Sequence, residues 1–215
     1  MKKLSFFGGE PLRLSPALAY RLAEEKFISY DWDCIPSEEE LIGERTEIAV
    51  SSLATLLNCK VSLSKRGSVM DCVLKADLML EYHEQVFIWQ LKSSLGGAKA
   101  HLSKEEPVYK GQRYSLPGVI VFEDDDESQK WDINSLKALS SNCSIPVRKS
   151  VVEAYKLHKS TKNRFLEKGL PARLPLHSAK IMELFSKEVV SILTLMGYCR
   201  VESGKNPKDK TLVLI

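Results

Sequence analysis

Residues 75–94 read KADLMLEYHEQVFIWQLKSS, and the fold turns on how this stretch is parsed. Residues 76–82 and 86–91 are short, apolar, β-prone runs, and His83-Glu84-Gln85 between them is a polar link of hairpin length. The pattern predicts a β-hairpin. Alternation along its second strand places Gln90 and Lys92 on one face and turns Trp89 and Leu91 to the other. Asp77 opens the partner strand, and antiparallel pairing from a turn near Glu84 brings it beside Gln90 and Lys92. Two readings stand at this point: an edge hairpin whose polar residues face water, or a polar constellation at one end of a sheet.

Upstream, Pro36-Ser37 followed by Glu38, Glu39 and Glu40 is a helix start, with a side-chain cap and acids where the helix dipole favours them. The helix is expected to run to about Leu57. Its apolar stripe reads as Ile42, Ala49, Leu53 and Leu56, flanked by Leu41, Ile48 and Leu57, which leaves Glu44 and Glu47 away from the stripe centre. Residues 61–63 read as a first strand, with Lys65-Arg66-Gly67-Ser68 as its exit turn. The order is helix, strand, hairpin, carrying Glu, then Asp, then Gln-x-Lys.

That combination resembles the core of the PD-(D/E)-x-K nuclease superfamily, the restriction-endonuclease-like fold. The matching pieces are Gly43-x-x-x-Glu47, Ala76-Asp77 and Gln90-Leu91-Lys92-Ser93-Ser94, within residues 36–123. The chain departs from the common pattern at Ala76, where a proline is frequent, and at Gln90, where Asp or Glu is usual; a Q-x-K version occurs in the superfamily. The resemblance implies an α/β protein with a restriction-endonuclease-like core, a central mixed β-sheet flanked by helices, to which N- and C-terminal helical elements are added. It also implies a Mg²⁺- or Mn²⁺-dependent deoxyribonuclease acting on duplex or branched DNA as a homodimer.

The implied chemistry accounts for the residue types. Hydrolysis of a phosphodiester develops negative charge at phosphorus, which a divalent cation neutralises while it orients and acidifies water. Such hard cations take oxygen ligands and few protein carboxylates. Asp77 is the first expected ligand, with the Gln90 amide oxygen and the Leu91 carbonyl beside it. An amide in place of a carboxylate removes one negative charge, and Glu47, 30 residues before Asp77, is the expected compensator, with Glu44 one turn earlier as the fallback. Lys92 is expected beside the attacking water or the scissile phosphate as a stabilising point charge. The rival class is a noncatalytic nucleic-acid-binding or assembly protein that kept the fold while Gln90 weakened its metal site.

Beyond the hairpin, residues 98–114 are only partly helical in pattern, and residues 118–122, GVIVF, suit a buried fourth strand. Lys99 and Arg113 follow the catalytic strand closely and are candidate contacts to a nucleic-acid backbone. With 215 residues, 44% hydrophobic and 27% charged, the chain reads as an ordinary globular protein. Its net charge of +3 is uneven: residues 1–146 carry 17 basic against 22 acidic residues, and residues 147–215 carry 14 against 6. The first part is expected to be the nuclease-like core with its N-terminal helical extension. The second is expected to be a basic segment with helices over residues 151–168 and 178–195 and a C-terminal hairpin, a small winged-helix-like module whose loop is the wing. Lys156, Lys159, Lys205 and Lys208 are its candidate DNA contacts, against the alternatives of a solvated helix face, packing on the core or a dimer contact.

Five cysteines without a C-x-x-C pair indicate neither a disulfide framework nor a structural zinc site. Four histidines lack metal-ligand spacing. The acidic run at residues 123–127 reads as a solvated loop. No signal peptide or membrane span is expected, which points to a cytoplasmic, intracellular protein, and a virus- or phage-encoded origin would look the same.

Overall fold

The computed structural model describes residues 1–29, 36–123, 130–206 and 209–215. Two compact units divide them. The larger comprises residues 2–29 and 36–123 with Asp132–Pro146, and the smaller comprises Val147–Ile215 with Met1, Lys130 and Trp131.

In the larger unit the chain forms β1 (Lys3–Gly8), β2 (Leu12–Leu14), α1 (Pro16–Glu24), α2 (Glu38–Ala54), β3 (Lys60–Leu63), α3 (Val69–Cys72), β4 (Leu78–Tyr82) and β5 (Gln85–Lys92). It continues through α4 (Leu95–Leu102), the short strands β6 (Val108–Tyr109) and β7 (Gln112–Arg113), β8 (Val119–Glu123) and α5 (Ile133–Cys143). The main sheet is mixed, in the order β1-β8-β5-β4-β3, with β2 also paired to β5. The hairpin is β4–β5, closed by the two-residue turn His83-Glu84 with His83 at a φ of +53°. On its other edge β5 meets two partners in turn: β2 over Val86–Ile88, then β8, parallel, over Gln90–Lys92. The parallel pairing needs a crossover, and α4 supplies it.

Alternation sets what each face buries. Met79 and Ile88 pack with Leu22, Met70 and Leu74 of the α1–α3 side. Their neighbours Leu78 and Trp89 are buried on the opposite face, where the Trp89 indole N–H reaches Cys143 Sγ of α5 at 3.2 Å. Helices therefore cover both faces, and β4 and β5 are apolar along nearly their whole length.

The structure corrects the expected stripe of α2. Leu53, Leu56 and Leu57 are buried as expected, but Leu41, Ile42 and Ile48 are exposed, and Thr46, Val50 and Ala54 are buried in their stead. Over the first half of the helix contact with the sheet selects a face other than the one the apolar residues mark, and Thr46 can join it because its hydroxyl donates to the Ile42 carbonyl at 3.0 Å. The start was legible: Ser37 and Glu40 form a reciprocal capping box. The helix ends at Ala54, three residues before the expected Leu57. Strands β1, β2, β6 and β7 and helices α3 and α5 were not anticipated.

The smaller unit runs α6 (Lys149–Glu167), β9 (Arg173–Pro175), α7 (Ala179–Leu184), α8 (Lys187–Leu195), β10 (Cys199–Ser203) and β11 (Lys210–Leu214), with an antiparallel sheet ordered β10-β11-β9. The expected single helix over residues 178–195 is two. Phe185 leaves helical geometry and is buried, and Ser186 caps the second helix by accepting from the Val189 N–H at 3.4 Å. Burying the Phe185 ring and restarting on a serine cap outweighs continuation of the helix. Inside this unit His158 is buried, 3.2 Å from the Ile215 carbonyl, with its ring against Tyr198. Among the described residues no helix is long and apolar enough to cross a membrane.

Candidate active site

The site forms where β4 and β5 part. Leu78 and Trp89 are the last paired residues of the ladder, and Asp77, one step further, still donates its N–H to the Trp89 carbonyl at 2.9 Å. The Asp77 carbonyl in turn accepts from the Ser64 N–H at 2.8 Å, which ties the end of β3 to the same place. Before Asp77 the extended run is broken at Lys75, whose φ is +55°, and the Ala76 N–H turns to the Met70 carbonyl. Strand β5 continues past the parting against β8, and the Gln90 N–H is held by the Gly118 carbonyl at 3.0 Å.

Sequence alternation thus delivers Gln90 and Asp77 to each other. The Gln90 amide Nε2 donates to Asp77 Oδ2 and to the Leu91 carbonyl, the latter at 3.1 Å, while the Leu91 backbone N–H donates to the same Asp77 oxygen at 2.9 Å. Gln90 is only 4% exposed, so its orientation is set by these partners. A half-turn of the terminal amide would exchange Nε2 for Oε1 and face three oxygens towards one point.

Glu47 comes to this point from α2. It lies within one turn of the buried Thr46 and Val50, on the inward side rather than away from it, and so lines a cleft of about 140 Å³ with Ser64, Arg66, Asp71 and Asp77. Burial, followed by the negative charge of Asp77, raises the Glu47 carboxyl to about 7, against the pull of Arg66. Burial also raises Asp77, to about 6, although the Leu91 N–H and the Lys92 charge work downward. Glu44 does not line the cleft itself but forms an ion pair at 2.7 Å with Arg66, which does. Lys92 is half-buried at the end of β5, close enough to Asp77 to stabilise its charge. Its stem lies over the first turn of α4, where a Cβ on Gly97 would stand 3.3 Å from Lys92 Cδ.

Three lining residues were missed by sequence reasoning. Arg66 reads from the sequence only as part of an exit turn. Asp71 accepts from the Gly67 N–H at 2.8 Å, and its own N–H goes to Ser68 Oγ at 3.2 Å. The S-x-x-D spacing of Ser68 and Asp71 was the available signal, a helix-start pattern directly after a glycine turn. Ser64 Oγ is buried without a hydrogen-bond partner.

The candidate nucleic-acid contacts are distributed over both units. Lys99 is exposed on α4, and Arg113 is exposed on β7, 4.0 Å from Glu106. Lys156 and Lys159 are exposed on α6, and Lys205 is exposed after β10, while Lys208 lies outside the described residues.

Among the described residues no group of three or more His, Cys, Asp and Glu side chains is arranged as a metal site. The set at the parting is of another composition: the carboxylates of Glu47 and Asp77, the Leu91 carbonyl and the Gln90 amide, with the orphaned Ser64 hydroxyl in the same cleft. These are hard oxygen donors, and they fit a divalent cation of the Mg²⁺ class. No protein-family model, no curated protein and no solved structure matches this chain.

Proposed function

We propose that the chain is an intracellular metal-dependent DNA endonuclease of the PD-(D/E)-x-K type, built on a restriction-endonuclease-like core. The observation that carries this reading is the meeting of Asp77, Gln90 and Leu91 where β4 and β5 part, with Glu47 facing Asp77 across one small cleft. The order α2-β3-α3-β4-β5-α4-β6-β7-β8, with β8 parallel to β5, supports the fold assignment.

In this reading Asp77, Glu47, the Leu91 carbonyl and Gln90, through its amide oxygen, hold a Mg²⁺ or Mn²⁺ ion. When bound, the ion supplies charge neutralisation at the phosphate and acidifies water. The chain's own residues do the rest. The β4–β5 junction fixes Asp77 by two backbone-derived hydrogen bonds, so little reorganisation accompanies substrate binding. Lys92 brings an ammonium to the same place, a donor for a phosphate oxygen as negative charge builds there. The net reaction is addition of a water oxygen to phosphorus, rupture of one P–O ester bond and protonation of the departing oxygen.

The smaller unit's order of helix, strand, two helices and hairpin supports its reading as a winged-helix-like DNA-binding module. Two copies of the chain would bring two such sites to two strands, and we take a homodimer as the working assembly. One observation favours the noncatalytic reading: the Gln90 side-chain N–H satisfies Asp77 directly, a bond that an ordinary carboxylate at position 90 could not make.

The deciding measurement is cleavage of supercoiled, linear and branched DNA in Mg²⁺ or Mn²⁺, with Asp77→Ala and Lys92→Ala in parallel. Metal-dependent cutting that both substitutions abolish supports the nuclease. Cutting that survives both assigns the activity to another site or protein, and tight DNA binding without cutting selects the noncatalytic reading.

A further inference from the structure

Cations on much of the larger unit are answered by carboxylates: Lys60 by Glu81, Lys65 by Glu24, Arg66 by Glu44, Lys110 by Glu25 and Arg113 by Glu106. Three lysines next to the Asp77 cleft are different. Lys75, Lys92 and Lys104 make no ion pair among the described residues.

Their placement follows from the fold. Lys75 lies three residues before the point where β4 and β5 part and Lys92 three residues after it, so both flank the parting, and Gln90 beside Lys92 is tied through Gly118 to the entry of β8. Lys75 sits where the backbone takes its left-handed turn, which ends the extended run and leaves the residue exposed. Lys104 follows α4. Its N–H donates to the His101 carbonyl at 3.1 Å, and the His101 ring is buried with Nε2 3.0 Å from the Pro117 carbonyl. That buried contact fastens the end of α4 to the entry of β8 and so fixes where Lys104 begins.

The three are close enough to repel one another. Lys104 is held below the ordinary lysine range by partial burial and then by the charges of Lys75 and Lys92. His101 is likewise held down, first by burial, with Lys92, Lys104 and Lys75 contributing in that sense. Asp77 offsets Lys92, and the positive charge of Lys75 and Lys104 that remains is an electrostatic cost in the free protein that a bound anion removes. Compact point charges with no arginine fork and no aromatic platform suit a phosphate oxygen better than a base edge.

We propose that Lys75, Lys92 and Lys104 form a phosphate cradle for the DNA backbone beside the Asp77 cleft, in which Lys75 and Lys104 grip backbone phosphates while Lys92 faces the reacting one. The inference rests on the reading of the cleft as a phosphodiester-cutting site. It assigns the main backbone grip of this unit to Lys75 and Lys104, ahead of Lys99 and Arg113.

The test is equilibrium binding of a fluorescein-labelled duplex to the full chain in EDTA, over a series of KCl concentrations, by anisotropy. Neutralising one lysine that grips a phosphate should lower the slope of log K against log salt by about 0.9. Lys75→Asn, which tolerates the left-handed backbone, and Lys104→Gln are each expected to show that drop with several-fold weaker binding, and Lys104→Arg is expected to restore the slope. Both residues are exposed, so an unchanged melting temperature is expected to accompany the weaker binding. Slopes equal to wild type in both variants overturn the cradle, as does an absence of DNA binding by wild type. Plasmid cutting read on the same proteins separates the two proposals: cutting with unchanged slopes removes only the cradle, and lowered slopes without cutting remove only the nuclease.

Discussion

At the residue scale, the informative group is Glu47. Its carboxyl, raised to about 7, binds a proton more tightly in the folded chain than in the unfolded one, where the ordinary value is 4.5. The stabilisation this gives is complete below about pH 4.5 and is lost as pH rises through about 7. Asp77, raised from 3.8 to about 6, acts in the same direction over a slightly lower window. Buried His101 and His158, both held below 6.5, act oppositely, because protonating them opposes folding as pH falls. The clean readout is therefore a difference. In EDTA, wild type is expected to lose melting temperature relative to Glu47→Gln between pH 4.5 and 7.5, and parallel curves would mean that the carboxyl is not perturbed. Lys92→Ala is expected to lower the cleavage rate by roughly 10²–10³-fold, the scale for removing one preorganised electrostatic donor, with Mg²⁺ affinity changed far less. A similar loss in both would make Lys92 structural.

At the element scale, the site depends on how α2 and the β5–β8 junction are held. The capping box at Ser37 and Glu40 starts α2, and Ser37→Ala is expected to cost about 1 kcal/mol of stability, read by denaturant titration. Gly118 is the tighter constraint. A Cβ there would meet the Gly9 carbonyl and the Trp89 ring at 2.8 Å and the Glu10 carbonyl at 2.9 Å. Gly118→Ala must therefore shift backbone, and a loss of about 1–3 kcal/mol is expected, the usual range for overpacking. A neutral result would show that the link between β1 and β2 yields easily. Because the Gly118 carbonyl holds the Gln90 N–H, the same variant is expected to weaken cleavage beyond its effect on folding.

At the scale of the whole molecule, charge is partitioned by unit. Residues 147–215 carry 14 basic against 6 acidic residues, and Lys156 and Lys159 are exposed on α6. If that unit binds backbone, the double variant Lys156→Gln and Lys159→Gln is expected to lower the salt slope of DNA binding by about 1.8, at about 0.9 for each phosphate neutralised. The rate of cutting at saturating protein should stay near wild type. A slope that does not move would place this helix face in solvent and leave backbone binding to the larger unit.

Much of the larger unit was legible because its signals are local. The hairpin, the buried run of β8 and the capped start of α2 follow from side-chain period, turn length and capping chemistry, which act over a few residues. The opposition of Asp77 and Gln90 followed as well, since pairing from a short turn leaves one register. Other features were decided by tertiary contact. Which stripe of α2 turns inward, and hence that Glu47 is half-buried in the cleft with Asp77, is chosen by the sheet, because an amphipathic helix with apolar residues on several sides has no unique buried face until something packs on it. The same holds for Arg66, Asp71 and Ser64: they are near one another in the chain, but the cleft exists only where Glu47 of α2 and Asp77 at the start of β4 come to meet them. The two-residue strands at β6 and β7 and the break at Phe185 belong with them, since pairing and burial there outweigh weak local preferences.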